Sequence, residues 1–286
     1  MRKRVVAIMK RPARMLAILI LVMTGTTMLV RFAPGYLSDE REMDPRYAQA
    51  ARVELALEAS RSHSLLQMLS TEASGWLHGD FGHSRQFDVP VQELIGPRLA
   101  VTGGLLLRSL LVGWVIAICV SMVSSAGRDP SMLWQLPAAL LLAIPTAAMA
   151  TLCLLANKGG PVQVMALLIA ARDFKFLHRM FRKAWLEPHM LQARAQGIAT
   201  SRLLVAHVLP SLAGQLAALA SLSVVTALSA LVPVEVIFNV PGLGQLAWNA
   251  ALNRDLPVLL AITLIMAIAV TCSGMAPGRR PEWERA

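Results

Sequence analysis

Charge, aromatic rings and cysteine are all scarce in this sequence. Of 286 residues, 15% are charged, 5% are aromatic and three are cysteine, against 56% hydrophobic. A soluble globular domain carries about 25% charged and roughly 45–50% apolar residues. The balance excludes an ordinary water-soluble domain and makes lipid the solvent for most of the chain. Cys119, Cys153 and Cys272 lie inside apolar runs, with no CxxC and no histidine at ligand spacing. Neither a disulfide framework nor a zinc site follows, and small buried hydrophobe is the better reading. Lysine is rare too: none of the five is followed by Ser or Thr, so the chain lacks a phosphate-cradling GxxxxGK[ST] loop and is not itself an ATPase. It has no HExxH and no pair of facing mid-membrane aspartates to support the competing class, a polytopic membrane enzyme, and no filter motif for a channel acting alone. No catalytic, cofactor-binding or metal residue is expected.

What is present is a series of long apolar runs. Five can be considered as spans of a hydrocarbon core that needs about 20 helical residues: Met15–Phe32, Val101–Ala126, Met132–Ala156, Ser211–Val234 and Leu256–Met275. A sixth, Val162 to about His178, is interrupted by Arg172, Asp173 and Lys175. The first run follows Arg2, Lys3, Arg4, Lys10, Arg11 and Arg14, but without a small-x-small cleavage site, so it reads as an uncleaved first span.

The net charge of +10 is not spread as a nucleic-acid-binding stripe; it collects at the ends of the apolar runs. Cytoplasmic loops carry the excess of Lys and Arg. The N-terminus, the stretch 172–210 and the tail with Arg279, Arg280 and Arg285 are therefore expected inside. Both termini inside require an even number of spans, which argues for counting the sixth. The expected fold is all-α and polytopic, with about six transmembrane helices. Residues 1–32 hold the cytoplasmic N-terminus and first span, 33–100 an external segment rich in acids, 101–275 the transmembrane domain, and 276–286 a cytoplasmic tail. Within 33–100, a helix is expected over Pro45–Met68, and Trp76, Leu77 and Phe81 among glycines read as an interfacial turn. Arg108, one or two turns into the second span, is expected to snorkel outward. Pro137 and Pro145 are expected as tolerated kinks in the third span, and Pro233 near the end of the fifth.

The cytoplasmic connection, 179–210, contains EPHMLQARAQGIATSRLLVAHVLP from Glu187 to Pro210. Helix formers up to Gln196 meet Gly197, and a second run from Ser201 to Val208 is stopped by Pro210, a helix-turn-helix pattern too polar to cross lipid. Ala193, Ala195 and Gly197 would let a partner backbone approach closely, while Arg194 and Arg202 offer charge; an amphipathic connector is the plain alternative.

Gly197 followed after nine residues by His207-Val208-Leu209-Pro210 resembles the cytoplasmic loop signature of ABC importer permeases, the EAA loop with its terminal Leu-Pro. Leu191, Gln192 and Ala193 stand at the positions that name the motif and only the last matches, but Ala193-Arg194-Ala195-Gln196-Gly197 is similar to the peptide and nickel branch. Three further blocks fit that branch in order: Arg31-Phe32-Ala33-Pro34-Gly35; Gly79-Asp80-Phe81-Gly82-His83-Ser84 with Pro90-Val91 and Arg98-Leu99; and Pro233 to Gly244 with Ala250 to Pro257. The chain is identified on these blocks as resembling the inner-membrane permeases of dipeptide, oligopeptide and nickel importers, over most of its length. The resemblance implies a coupling loop of Gln192, Ala193, Arg194, Ala195, Gly197, Leu209 and Pro210. It also implies an external-loop motif of Glu235, Phe238, Pro241, Gly242, Gly244, Arg254 and Asp255. Physically, Pro-Gly-x-Gly suits an external loop that turns tightly or re-enters without a helix; of the flanking acids Glu235 and Asp255, either could pair with Arg254 or meet solute, and an interfacial ion pair is the expectation. Implied partners are a second related permease, two ABC ATPase subunits that bind the ATP, an external solute-binding protein and the bilayer, with peptides leading and nickel chelates next as cargo. The stretch Asn157–Pro161 is shorter, and the fourth span more charged, than the family pattern.

Overall fold

The computed structural model describes residues 80–84, 86–126, 131–188, 192, 196–198, 200–203 and 208–274, together with 17–18, 20–22, 24–26, 28 and 75. Among these, every extended element is a helix: α1 (Val91–Ala126), α2 (Ser131–Ala143), α3 (Thr146–Leu155), α4 (Pro161–Trp185), α5 (Thr200–Leu203), α6 (Leu209–Ile237), α7 (Leu243–Leu252) and α8 (Leu256–Ser273). The described positions of 17–28 are helical. The expected helix over Pro45–Met68, Trp76 and Leu77, and the tail 276–286 lie outside the described residues.

Among the described residues, α1, α6 and α8 are long and apolar enough to cross a membrane, and α2 with α3 would count as a fourth span if the bent pair is taken as one. The third span is not the kinked rod expected: Trp134–Ala143 and Thr146–Leu155 meet at 93°. Pro145 explains the break. It has no N–H to donate into a continuing helix, its ring meets the carbonyl four residues earlier, and it pushes Ile144 out of the helical region. Pro137, by contrast, is accommodated inside α2.

The interrupted sixth run is one unbroken helix, α4, of 25 residues, about 37 Å long. It is long enough to cross, but its charge keeps it out of the apolar set. Its side chains divide by face: Val164, Met165, Ile169, Phe174, Leu177 and Phe181 are buried, and so is Asp173. The Arg172 guanidinium reaches the Leu222 carbonyl of α6 at 3.2 Å. Helix α1 begins at Val91, ten residues before the expected span, and its 36 residues exceed the hydrocarbon thickness. Arg108 bends back one turn, Nε donating to the Gly104 carbonyl at 2.9 Å, which is the snorkelling direction expected.

The chain divides into two compact units, residues 1–98 with 246–268 and residues 99–245 with 269–286. In the second, α4 packs against α2, α3 and α6, and α3 also against α6. The core there gathers Ala117 of α1, Leu177, Phe181 and Trp185 of α4, Leu203 of α5, and Val208, Leu212 and Leu219 at the start of α6. Full burial of a leucine such as Leu203 contributes about 1.5–3 kcal/mol. The first unit, in its described part, holds the turn 80–90, the start of α1, most of α7 and the first two-thirds of α8.

Candidate functional site: the coupling segment and two buried carboxyl locks

The coupling segment is described at its flanks. Gln192 is helical and exposed, and its carbonyl accepts from the Gln196 N–H at 3.1 Å, closing a last helical turn. Gly197 follows in the left-handed region at φ +75°, where a side chain is strained, and nothing lies within 4 Å of where its Cβ would stand. Ala193, Arg194 and Ala195 lie outside the described residues. Pro210 does not stop a helix, as its sequence position suggested; it sits in the first turn of α6, where a missing N–H costs nothing. Ile198, Leu203, Val208 and Leu209 all pack into the core cluster with Leu177, Phe181 and Trp185. The polar segment is thus held at its C-terminal side by apolar anchors shared with α4 and α6.

The external-loop motif is built around two fully buried carboxyls, one in each unit. In the second unit, Glu235 lies in the last turn of α6. Its Oε1 accepts from the Thr102 hydroxyl at 2.7 Å, and its Oε2 accepts from the N–H groups of Gly244 at 2.7 Å and Gln245 at 3.2 Å. The Thr102 Oγ1 accepts in turn from the Leu243 N–H at 2.8 Å. Three N–H groups that the first turn of α7 would otherwise leave without partners are satisfied by two side chains from other helices, and the acidic group also suits the positive end of that helix. The expectation of a helix-free loop is therefore corrected: Pro241 and Gly242 make the turn, and Leu243 already begins α7. The glycines are required by proximity. A Cβ on Gly242 would overlap the Glu235 carboxyl, and one on Gly244 would stand 2.9 Å from the Val232 backbone.

In the first unit, Asp255 Oδ2 accepts from the Ser84 hydroxyl at 2.5 Å and from the Gln86 N–H at 3.2 Å, while Ser84 Oγ accepts from the Phe87 N–H at 3.1 Å. The turn carrying Ser84 is closed by Gly82 N–H to Asp80 Oδ1 at 2.8 Å and Val91 N–H to the Gly82 carbonyl at 3.0 Å. Two blocks far apart in sequence, Gly79 to Ser84 and Ala250 to Pro257, are thereby pinned together. Neither Glu235 nor Asp255 stands at the interface where it was expected: both are 0% exposed, and among the groups that reach them are the Thr102 and Ser84 hydroxyls and backbone N–H groups.

Helix endings account for Phe238 and Arg254. At the end of α6, Val240 N–H reaches the Glu235 carbonyl at 2.8 Å and Asn239 N–H the Val236 carbonyl at 3.2 Å, with Asn239 at φ +49° and Phe238 as the cap. At the end of α7, Asp255 N–H reaches the Ala250 carbonyl at 2.8 Å and Arg254 N–H the Ala251 carbonyl at 3.4 Å, with Arg254 at φ +54°. Both are Schellman endings, with Asn and Arg standing where glycine is usual.

Residue-level reading of the sequence missed Thr102 and the cluster around Ser223. Ser223 Oγ lies 2.5 Å from Asp173 Oδ2 and 2.8 Å from the Leu219 carbonyl, and accepts from the Trp114 indole N–H at 3.1 Å, linking α1, α4 and α6. The signal was available for Asp173, an acid in an apolar run; Thr102 and Ser223 are single hydroxyls among apolar residues and carry none.

Residues 109–276 match the family described as binding-protein-dependent transport system inner membrane component. Among curated relatives, the chain is 25% identical over 281 residues to the glutathione transport system permease protein GsiC of Pectobacterium atrosepticum, covering 91% of this chain and 90% of the relative. It is 27% identical over 288 residues to the metal-staphylopine import system permease protein CntB of Staphylococcus aureus, with 91% of each covered. It is 23% identical over 287 residues to the oligopeptide transport system permease protein OppB of Salmonella typhimurium, again with 91% of each covered. With a helical bundle of apolar spans, a polar connection before α6 and the two carboxyl locks in place, the chain belongs to the binding-protein-dependent transport system inner membrane components, the multi-pass permease subunits of ABC importers.

Proposed function

We propose that this permease pairs with a second, related permease to line a path for peptides or a similar small solute, driven by two ATPase subunits and fed by an external solute-binding protein. The chain itself performs no catalysis and binds no cofactor; ATP is bound by the partner subunits. Both termini and the segment 179–210 face the cytoplasm, in keeping with the clustering of Lys and Arg there. Gln192, Ala193, Arg194, Ala195 and Gly197 dock on an ATPase subunit, and Leu209 and Pro210 start the helix that carries the motion inward. The observation that carries this reading is the anchoring of Ile198, Leu203, Val208 and Leu209 in the core shared by α4 and α6: a push on the exposed turn at Gly197 reaches two long helices through close-packed side chains. Oligopeptide and glutathione permeases among the relatives support peptide-like cargo. The metal-staphylopine relative favours a second reading, a metal chelate.

Gly197→Trp provides the test. No neighbour stands near that position, so the variant inserts and folds with only the local cost of a side chain at positive φ, about 1 kcal/mol. In proteoliposomes containing both permeases, the ATPases and the binding protein, it loses solute-stimulated ATP hydrolysis. Unchanged hydrolysis overturns the coupling role; uptake of a radiolabelled peptide against a labelled metal chelate decides the cargo.

A further inference from the structure

At the C-terminal end of α4, a cavity of about 400 Å³ is lined by Gln135 of α2 and by His178, Arg179, Arg182, Lys183 and Leu186. Its volume is that of an ordinary small-ligand site. Arg179, Arg182 and Lys183 are exposed, three cations on two turns of one helix. Two of them stand in the last turn, where they offset the negative end of the helix. That end carries only about half a unit charge, so most of the positive charge remains uncompensated by the helix.

His178 adds an independent observation. It is 2% exposed, its Nδ1 lies 2.8 Å from the Ser124 hydroxyl of α1, and its buried Nε2 has no hydrogen-bond partner among the described residues. The Ser124 hydroxyl also lies 3.2 Å from the Ser121 carbonyl, so the one hydroxyl proton serves either that carbonyl or the imidazole, and both tautomers of His178 fit the pair. The cavity gathers guanidinium, ammonium and amide N–H groups beside the His178 ring, and its lining holds no acid. That donor set fits a phosphate ester, which Arg grips in bidentate fashion and Lys as a point charge.

The surroundings favour a lipid as the bearer of that phosphate. Leu186 is 67% exposed at the cavity edge, and on α2 Leu136 and Trp134 beside Gln135 in sequence are exposed at 53% and 36%. Apolar side chains and an indole bordering a basic pocket at the end of a bundle of apolar helices are the setting in which headgroups are held, acyl chains along the apolar surface and phosphate among the cations.

We propose that this cavity is a binding site for the phosphate headgroup of an anionic phospholipid of the cytoplasmic leaflet. The lipid bridges α2 and α4 next to the segment that receives the ATPase stroke.

The full-length protein in nanodiscs of phosphatidylcholine with about one-third phosphatidylglycerol tests this, read by native mass spectrometry of retained lipid. The wild type retains phosphatidylglycerol over phosphatidylcholine. Each cation near the surface contributes about a five-fold preference, so Arg179→Gln, Arg182→Gln and Lys183→Gln combined reduce it on the order of a hundred-fold. A control removing Arg279, Arg280 and Arg285 changes net charge equally and leaves the preference in place. Three results overturn the proposal: equal loss in that control, which marks bulk attraction; displacement of the lipid by millimolar inorganic phosphate, which marks a free-anion site; or an unchanged preference in the triple variant whose ATPase subunits no longer copurify, which assigns the patch to a protein partner.

Discussion

A single methyl group tests the Glu235 lock. In Gly242→Ala the new Cβ would occupy the space of the Glu235 carboxyl, so the carboxyl must leave its place. Its departure breaks the bonds from Thr102, Gly244 and Gln245. At about 1 kcal/mol net for each bond, the loss approaches ~3 kcal/mol. At roughly 2–4 °C per kcal/mol, the unfolding midpoint falls by about 6–12 °C. Tryptophan fluorescence of the detergent-purified protein follows the midpoint, and hydrogen–deuterium exchange shows the amides of residues 243–245 exchanging faster while those in the middle of α4 do not. The decisive measurement is the double variant. Glu235→Ala alone removes the same bonds, and once the carboxyl is gone the alanine at 242 has room. Gly242→Ala with Glu235→Ala should therefore be no less stable than Glu235→Ala alone, a coupling of about 2–3 kcal/mol. Additive losses would refute the assignment of Gly242 to carboxyl clearance.

The Asp255 lock is probed by Ser84→Ala, which removes a donor from a buried acid and should cost about 1–3 kcal/mol. Limited proteolysis should then cut the segment 80–90 faster, and equal cleavage rates would contradict the pinning. Ser223→Ala leaves Trp114 Nε1 and Asp173 Oδ2 without their partner and should lower stability by a similar ~1–3 kcal/mol. The added double change Asp173→Leu should restore part of that, because an apolar pair is cheaper to bury than a half-satisfied polar one; a further loss would contradict this account.

The apolar spans were legible because lipid leaves little choice: runs such as Leu209–Ile237 and Leu256–Ser273 must be helical to satisfy their backbone. The coupling segment was legible in outline from Gly197 and Leu209-Pro210, although Pro210 begins a helix instead of ending one. What did not show was partnership. Glu235 and Asp255 read as surface charges because a sequence records that an acid is present, not that Thr102 or Ser84 will fold against it from well over a hundred residues away. The same holds for Asp173, which looked like a defect in a span and is the buried end of a polar link to Ser223. Pro145 was visible, yet a proline permits either a modest kink or a corner, and packing of α3 against α4 and α6 goes with the corner.

That corner has a bearing on the assembly. Helices of 13 and 10 residues, α2 and α3, measure about 20 Å and 15 Å, each less than a hydrocarbon layer of ~30 Å. When one arm runs along the membrane normal, the other must lie across it, and the elbow brings loose carbonyls to a depth where oil cannot solvate them. Ile144 and Pro145 are uncovered in the isolated chain. An elbow at that depth requires water or protein beside it, since lipid offers its carbonyls no donor.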